Sequence, residues 1–165
     1  MLNKATIIHE LSMARVAHER WVKRAEHLIS GMPVDIEFIP HEATKCGFGK
    51  WYYGLVGQTL KGFYTFTPTM ENIEQCHGQL HKIYHEIYEI FFVKPNNRTL
   101  LHRLITLNSK KVTKHELRKA KECYAKLQET SAELIHLTIK LEKAVKAADL
   151  VVLYRQQLAQ SSAVS

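Results

Sequence analysis

Glycine and proline are confined to the middle of this chain, and that confinement decides most of what it can fold into. All seven glycines fall between Gly31 and Gly78, and all four prolines between Pro33 and Pro95. These residues disfavour a helix interior most strongly, by about 1 and about 3 kcal/mol relative to alanine. The two flanks are thereby free to form long uninterrupted helices, and the middle is divided into segments. On the first flank Ile7, Leu11, Ala14, Ala17/His18, Trp21, Ala25 and Leu28 recur in steps of three and four. That spacing makes one buried stripe and predicts a helix from about Asn3 to about Ser30, stopped by Gly31 and Pro33. On the second flank Thr113-x-x-Glu116 fits a capping box. Leu117, Ala120, Tyr124, Leu127, Ser131, Leu134, Thr138, Leu141, Val145, Ala148 and Val152 then form a bundle seam. The pattern predicts one helix to about Gln157, about 60 Å long, which either kinks or projects toward a partner.

The first part of the middle reads as short pieces. Met32 to about Thr44 is a loop, Cys46 to Gly54 a turn entering a short helix, and Leu55 to Thr67 a second loop. A third helix opens at Thr67-Pro68, where Thr can cap and Pro suits the first helical position, and runs to about Val93. Arg98 to Asn108 is a short fourth helix. The expected fold is all-α: a four- to five-helix bundle with a long C-terminal helix and a loop-rich segment between helices one and three. Residues 1–158 form one domain, and 159–165 a disordered tail.

Composition narrows the function classes. The formal charge is +7 and the sequence pI about 9.3. Lys and Arg are nevertheless scattered along the predicted helices beside Glu, as in Lys140-Leu141-Glu142-Lys143, so they read as solvated faces and not as a nucleic-acid surface. No apolar run approaches the roughly 20 residues that cross a bilayer, and the N-terminus lacks the pattern of a signal peptide. The expectation is a cytoplasmic protein with no nucleic-acid or membrane partner. The three cysteines (Cys46, Cys76, Cys123) are odd in number and widely spaced, which is no disulfide framework.

Ten histidines are many for 165 residues. His77 and His81 are four apart on a predicted helix, so they share a face, about 6 Å apart at Cβ. His85 extends that face, and the spacing alone leaves His81 with His85 as an equal pair. Cys46 stands at a turn before a helix, where the N-terminus favours the thiolate. Phe48, Trp51 and Tyr52 follow it and can roof a site. His18 lies on the buried stripe of helix one, where an unpaired imidazole is costly. One thiolate and three imidazoles make a tetrahedral Zn²⁺ set. His9, His27, His41, His102, His115 and His136 read as surface or capping residues. Cys76 sits about 100° around the helix from His77 and misses the site. Cys123 reads as structural.

His18-x-x-Trp21, Cys46-x-Phe-Gly49-x-Trp51 and His77-x-x-x-His81, in that order, resemble the chemoreceptor zinc-binding (CZB) domain family. The resemblance covers about residues 5–92. It implies that His18, Cys46, His77 and His81 are the zinc ligands, which selects His77 over His85, and that Trp21 and Trp51 pack around the site. It further implies a helical bundle, often a homodimer through its long helices, in bacterial signal transduction. Such domains sense zinc, or oxidants that attack the zinc-bound thiolate, in chemoreceptors or diguanylate cyclases. This chain shows no methyl-accepting hairpin and no cyclase domain, so it reads as a stand-alone or excised domain.

Four protein ligands would close the coordination sphere, which speaks against an enzyme. Zinc affinity is expected to fall as the pH drops toward about 6, where protons compete for imidazole. A hemerythrin-like di-iron carrier is the rival; it needs bridging carboxylates, and Glu86 or Glu89 would have to serve. A purely structural zinc-stapled bundle is the other.

Overall fold

The computed structural model describes residues 2–32, 34, 42–93 and 112–163. Among these the chain is all-helical. Helix α1 spans Lys4–Ile29, a 3₁₀ turn Ala43–Lys45, α2 Gly47–Tyr53, α3 Leu55–Gly62, α4 Thr67–Tyr88, α5 Lys114–Ala147 and α6 Leu150–Ala163. A π-helical turn, Glu89–Val93, extends α4. The predicted helix over Arg98 to Asn108, and His41 and His102, lie outside the described residues.

The flanks follow the expected pattern. Asn3 caps α1 by accepting from the amides of Ala5 (2.8 Å) and Thr6 (3.3 Å). Its C-terminus closes with the Met32 amide on the His27 carbonyl (2.9 Å) around Gly31 at φ +73°, a left-handed position that suits glycine. Ile7, Leu11, Ala14, His18, Ala25 and Leu28 are buried, and Trp21 is half-buried. The capping box of α5 is complete: the Thr113 hydroxyl accepts from the Glu116 amide, and the Glu116 carboxylate accepts from the Thr113 amide.

Four expectations need correction. The predicted 40-residue last helix is broken. Ala148 is extended (φ −73°, ψ 147°), and the Asp149 carboxylate then accepts from the amides of Val151 (3.0 Å) and Val152 (3.2 Å), capping α6. A short acidic side chain competes for backbone amides, and here it restarts the helix. The seam ends with it: Val145 is buried, whereas Val152 is exposed and Leu150 takes the inward place. Helix α6 runs to Ala163, into the stretch read as a tail.

Leu55 to Gly62 is a helix, not a loop. Its Gly57 is there for proximity: a Cβ would stand 2.2 Å from the Tyr52 carbonyl oxygen. The glycine that looked like loop punctuation lets α3 press against the end of α2, while Leu60 fills the core. Thr67, finally, lies inside α4 and caps no amide; its hydroxyl donates back to the carbonyls of Lys61 (2.8 Å) and Phe63 (3.1 Å).

Helices α1 and α4 both pack along α5, and their direct contact with each other is slight. The buried apolar face of α5 is Ala120, Cys123, Leu127, Leu134, Leu137, Leu141 and Val145. The Arg15–Glu142 ion pair (2.7 Å) ties α1 to α5. Helices α2 and α3 fill the space beside α1 and α4, which places the aromatic middle of the sequence over the gap between them.

Candidate metal centre

The gap between α1 and α4 is where the polar side chains converge. His18 comes from α1, Cys46 from the residue before α2, and His77 and His81 from successive turns of α4. One donor atom of each lies within 4.8 Å of every other, and all four residues are buried. His77 Nε2 stands 3.1 Å from His81 Nε2 and 3.3 Å from Cys46 Sγ. The bond lengths of tetrahedral zinc set its edges at about 3.3 Å between nitrogens and about 3.6 Å between nitrogen and sulfur. The two shortest separations sit close to those edges.

His18 provides the sharpest test of whether this group fits a cation. Its ring is held by the Ala14 backbone, and its Nε2, buried, meets no hydrogen-bond partner. A buried imidazole nitrogen left unpaired costs about 1–3 kcal/mol. An ion at the centre of the four donors would satisfy that nitrogen. The backbone bond on the other ring nitrogen fixes the ring in the manner usual for metal-bound histidine. The donor set, one sulfur and three imidazole nitrogens, suits zinc.

Electrostatics keep the His18 and His77 imidazoles ready to donate. Burial lowers the pKa of His18 from 6.5 to about 4, and His81 nearby adds to the effect. Burial, with His18 and His81 beside it, drives His77 lower still, to about 2. Both are neutral at physiological pH. Cys46 behaves differently from expectation. It is the N-cap of α2, and its Sγ accepts from the Gly49 amide at 3.2 Å. Burial nevertheless pushes its thiol above the ordinary 9.0, outweighing the amides of Gly49 and Phe48 and the charge of Lys50. The helix end alone does not make the thiolate; a cation has to displace the proton.

The local fold explains the Cys-x-Phe-Gly spacing. A Cβ on Gly49 would come within 1.8 Å of the Ala43 carbonyl oxygen, so only glycine lets the first turn of α2 lie on the 3₁₀ turn. Gly47, by contrast, faces open space. Phe48 meets the rings of His18 (5.9 Å between centroids) and His77 (5.0 Å), both edge to face. Trp21 meets His18 (5.0 Å) and His81 (4.7 Å) in the same way. Trp51 stacks behind Phe48. The aromatic roof is therefore Phe48 and Trp21, with Trp51 as its backing. The buried Trp51 Nε1 has no partner, and nothing in the structure explains that.

The other candidates fall away from the site. His85 pairs with Glu89 (3.4 Å) and lies against Tyr88. The Cys76 thiol donates to the Thr130 carbonyl of α5 (3.1 Å), and burial raises its pKa to about 11. Buried Cys123 faces Glu86 (3.6 Å). Among the described residues the metal-competent group contains no carboxylate, so Glu86 and Glu89 bridge nothing and the di-iron reading loses its ligands. Sequence reasoning missed one feature near the site, the contact of Tyr52 and Lys61 with α4.

Residues 18–88 match the family model of the chemoreceptor zinc-binding domain, which agrees with the resemblance carried by the three motifs. No curated protein and no solved structure matches the chain.

Proposed function

Taking residues 18–88 as a chemoreceptor zinc-binding domain, we propose that this protein is a zinc-dependent regulatory module of signal transduction. It holds one Zn²⁺ through His18, Cys46, His77 and His81. The observation that carries the reading is the convergence of these four buried donors from α1, the cap of α2 and α4, with His18 Nε2 otherwise unpartnered.

When bound, the ion supplies a positive centre of about +1 net charge, after one thiolate is counted against it. Everything else belongs to the chain. His18 anchors α1, Cys46 anchors α2, and His77 and His81 anchor α4, so the helices that α5 only flanks are tied to each other through these side chains. Phe48 and Trp21 keep water from the donors. Loss of any one donor loosens α1 from α4, and that change in helix packing is the signal. A two-electron oxidant that converts the Cys46 thiolate to a sulfenic acid removes one donor and has the same effect.

The four donors leave no room for a catalytic water, which supports a regulatory and not an enzymatic role. The proposal extends to a cytoplasmic homodimer through the long helices, coupled to a chemoreceptor or a diguanylate cyclase. Exposed Met13 and Val16 on α1 and Ile139 on α5 support such a seam. No helix among the described residues is long and apolar enough to cross a membrane.

Elemental analysis tests the reading. One zinc per chain is expected, with most of it lost in Cys46→Ala and released on treatment with one equivalent of hypochlorous acid. Full zinc affinity in Cys46→Ala contradicts the site. Zinc that stays bound after Cys46 is oxidised contradicts the redox response.

A further inference from the structure

Helix α2 is only seven residues long, too short to hold its shape in water without help. The site fastens one end of it, at Cys46. The other end is fastened by something the zinc motif does not include. Tyr52 is buried, and its hydroxyl donates to the Met70 carbonyl at 2.7 Å. The same hydroxyl lies 3.4 Å from the Glu74 carboxylate, which in turn accepts from Lys61 Nζ at 2.6 Å. Met70 and Glu74 stand on α4, upstream of His77 on the same helix. Gln58 on α3 closes the corner by donating to the Tyr52 carbonyl at 3.0 Å.

The spacings match. Cys46 and Tyr52 are about 9 Å apart along α2, and Met70 and His77 about 10 Å apart along α4, at 1.5 Å per residue. With Cys46 against His77 and Tyr52 against Met70, α2 is tied to α4 at both ends, the two contacts running in opposite chain order. We infer that Tyr52, backed by Glu74 and Lys61, is a positioning residue for the metal site: it sets where along α4 the Cys46 sulfur comes to rest. This rests on the zinc reading of the site and deepens it. Burial and the neighbouring Glu74 carboxylate hold the Tyr52 hydroxyl well above its ordinary pKa, so it stays a donor. The Lys61 ammonium is the main influence holding Glu74 below its ordinary value, so the acceptor stays charged. Without the hydroxyl, α2 pivots about Cys46, and the sulfur no longer meets the three imidazoles in one tetrahedron.

Tyr52→Phe keeps the ring and removes the anchor; Glu74→Gln, at a half-exposed position, keeps an acceptor and removes the charge. Zinc affinity of the folded protein, measured by chelator competition, is expected to weaken about tenfold in Tyr52→Phe and a few-fold in Glu74→Gln, in line with other residues that orient metal ligands. In the cobalt-loaded proteins the sulfur-to-cobalt charge-transfer band of Cys46 should weaken in the same order. A merely structural tyrosine would lower the melting temperature of the zinc-free and zinc-loaded forms alike and leave both readouts at wild-type values. That result in both variants overturns the inference while the zinc reading stands. A wild-type protein that binds neither metal overturns both.

Discussion

Helix α5 and the α2–α3 pair are stabilised in opposite ways. Helix α5 repeats one solution over 34 residues, turning Ala120, Cys123, Leu127, Leu134, Leu141 and Val145 inward. Each large apolar side chain buried there contributes about 1.5–3 kcal/mol, and none is indispensable. Helix α2 has no such redundancy. Beside the buried rings of Phe48 and Tyr52, it rests on the close approach of Gly49 to Ala43, on the Tyr52 hydroxyl, and on the Cys46 sulfur. A bundle tolerates graded loss along α5, whereas α2 loses its one purpose when any of its few contacts fails. The contrast also shows where change can be coupled to a signal, since the region held by discrete contacts is the one a single atom can release.

The largest expected effect comes from breaking both regions to a similar degree. Gly49→Ala and Leu127→Ala should each cost about 3 kcal/mol in urea unfolding, the first by overpacking and the second by leaving a cavity. Their zinc affinities should part company. Gly49→Ala is expected to weaken binding about 100-fold because Cys46 is displaced. Leu127→Ala removes apolar packing on α5 and none of the contacts of α2, so it should stay within about twofold of wild type while folded. Equal losses of affinity would show that the two regions are one cooperative unit.

Acid provides the next test, and between pH 5 and 7 it acts on the α1–α4 gap. The folded pKa of His18 (about 4) lies below its unfolded value of 6.5, so the zinc-free protein binds fewer protons than the unfolded chain in that interval. Its contribution is complete above pH 6.5 and is lost as the pH falls toward 4; His77 continues the loss below that. At pH 5 the zinc-free protein should be less stable than at pH 7 by about 2 kcal/mol for each of these imidazoles. Denaturant unfolding measures this, and His18→Gln should flatten the profile. Zinc affinity titrates with a different group. Because His18 and His77 are already neutral, the proton that zinc displaces there between pH 6.5 and 9 is the raised one on Cys46. The slope there should be about tenfold per pH unit, without the steepening near pH 6 that proton competition at His18 and His77 would add.

The smallest effect lies at the far end of α5. Thr113→Ala removes half of the capping box and should cost about 1 kcal/mol by thermal unfolding, with unchanged zinc affinity. A change in affinity would mean that fraying of α5 reaches the α1–α4 gap.

The same contrast explains what was legible in the sequence. Repetition writes itself into periodicity, so α1, α5 and the shared face of His77 and His81 could be read directly. The break at Ala148–Asp149 was harder, because the apolar rhythm continues through Val152 and only the Asp149 carboxylate interrupts it. The α2–α3 region defeats periodicity: Gly57 serves close packing and Gly49 serves both packing and the sulfur, yet each looks like a turn residue. The choice of His77 over His85 came from the Cys46 motif and its family pattern, and the geometry agrees, since His85 turns to Glu89. The Tyr52–Met70 bond has no sequence signal, because its acceptor is a backbone carbonyl.

X-ray absorption at the zinc edge tests the four-residue site most directly. The zinc-loaded protein should show one sulfur at about 2.3 Å and three imidazole nitrogens at about 2.0 Å, with the sulfur shell absent in Cys46→Ala. A wild-type spectrum with no sulfur, with two sulfurs, or with six light-atom neighbours would contradict it.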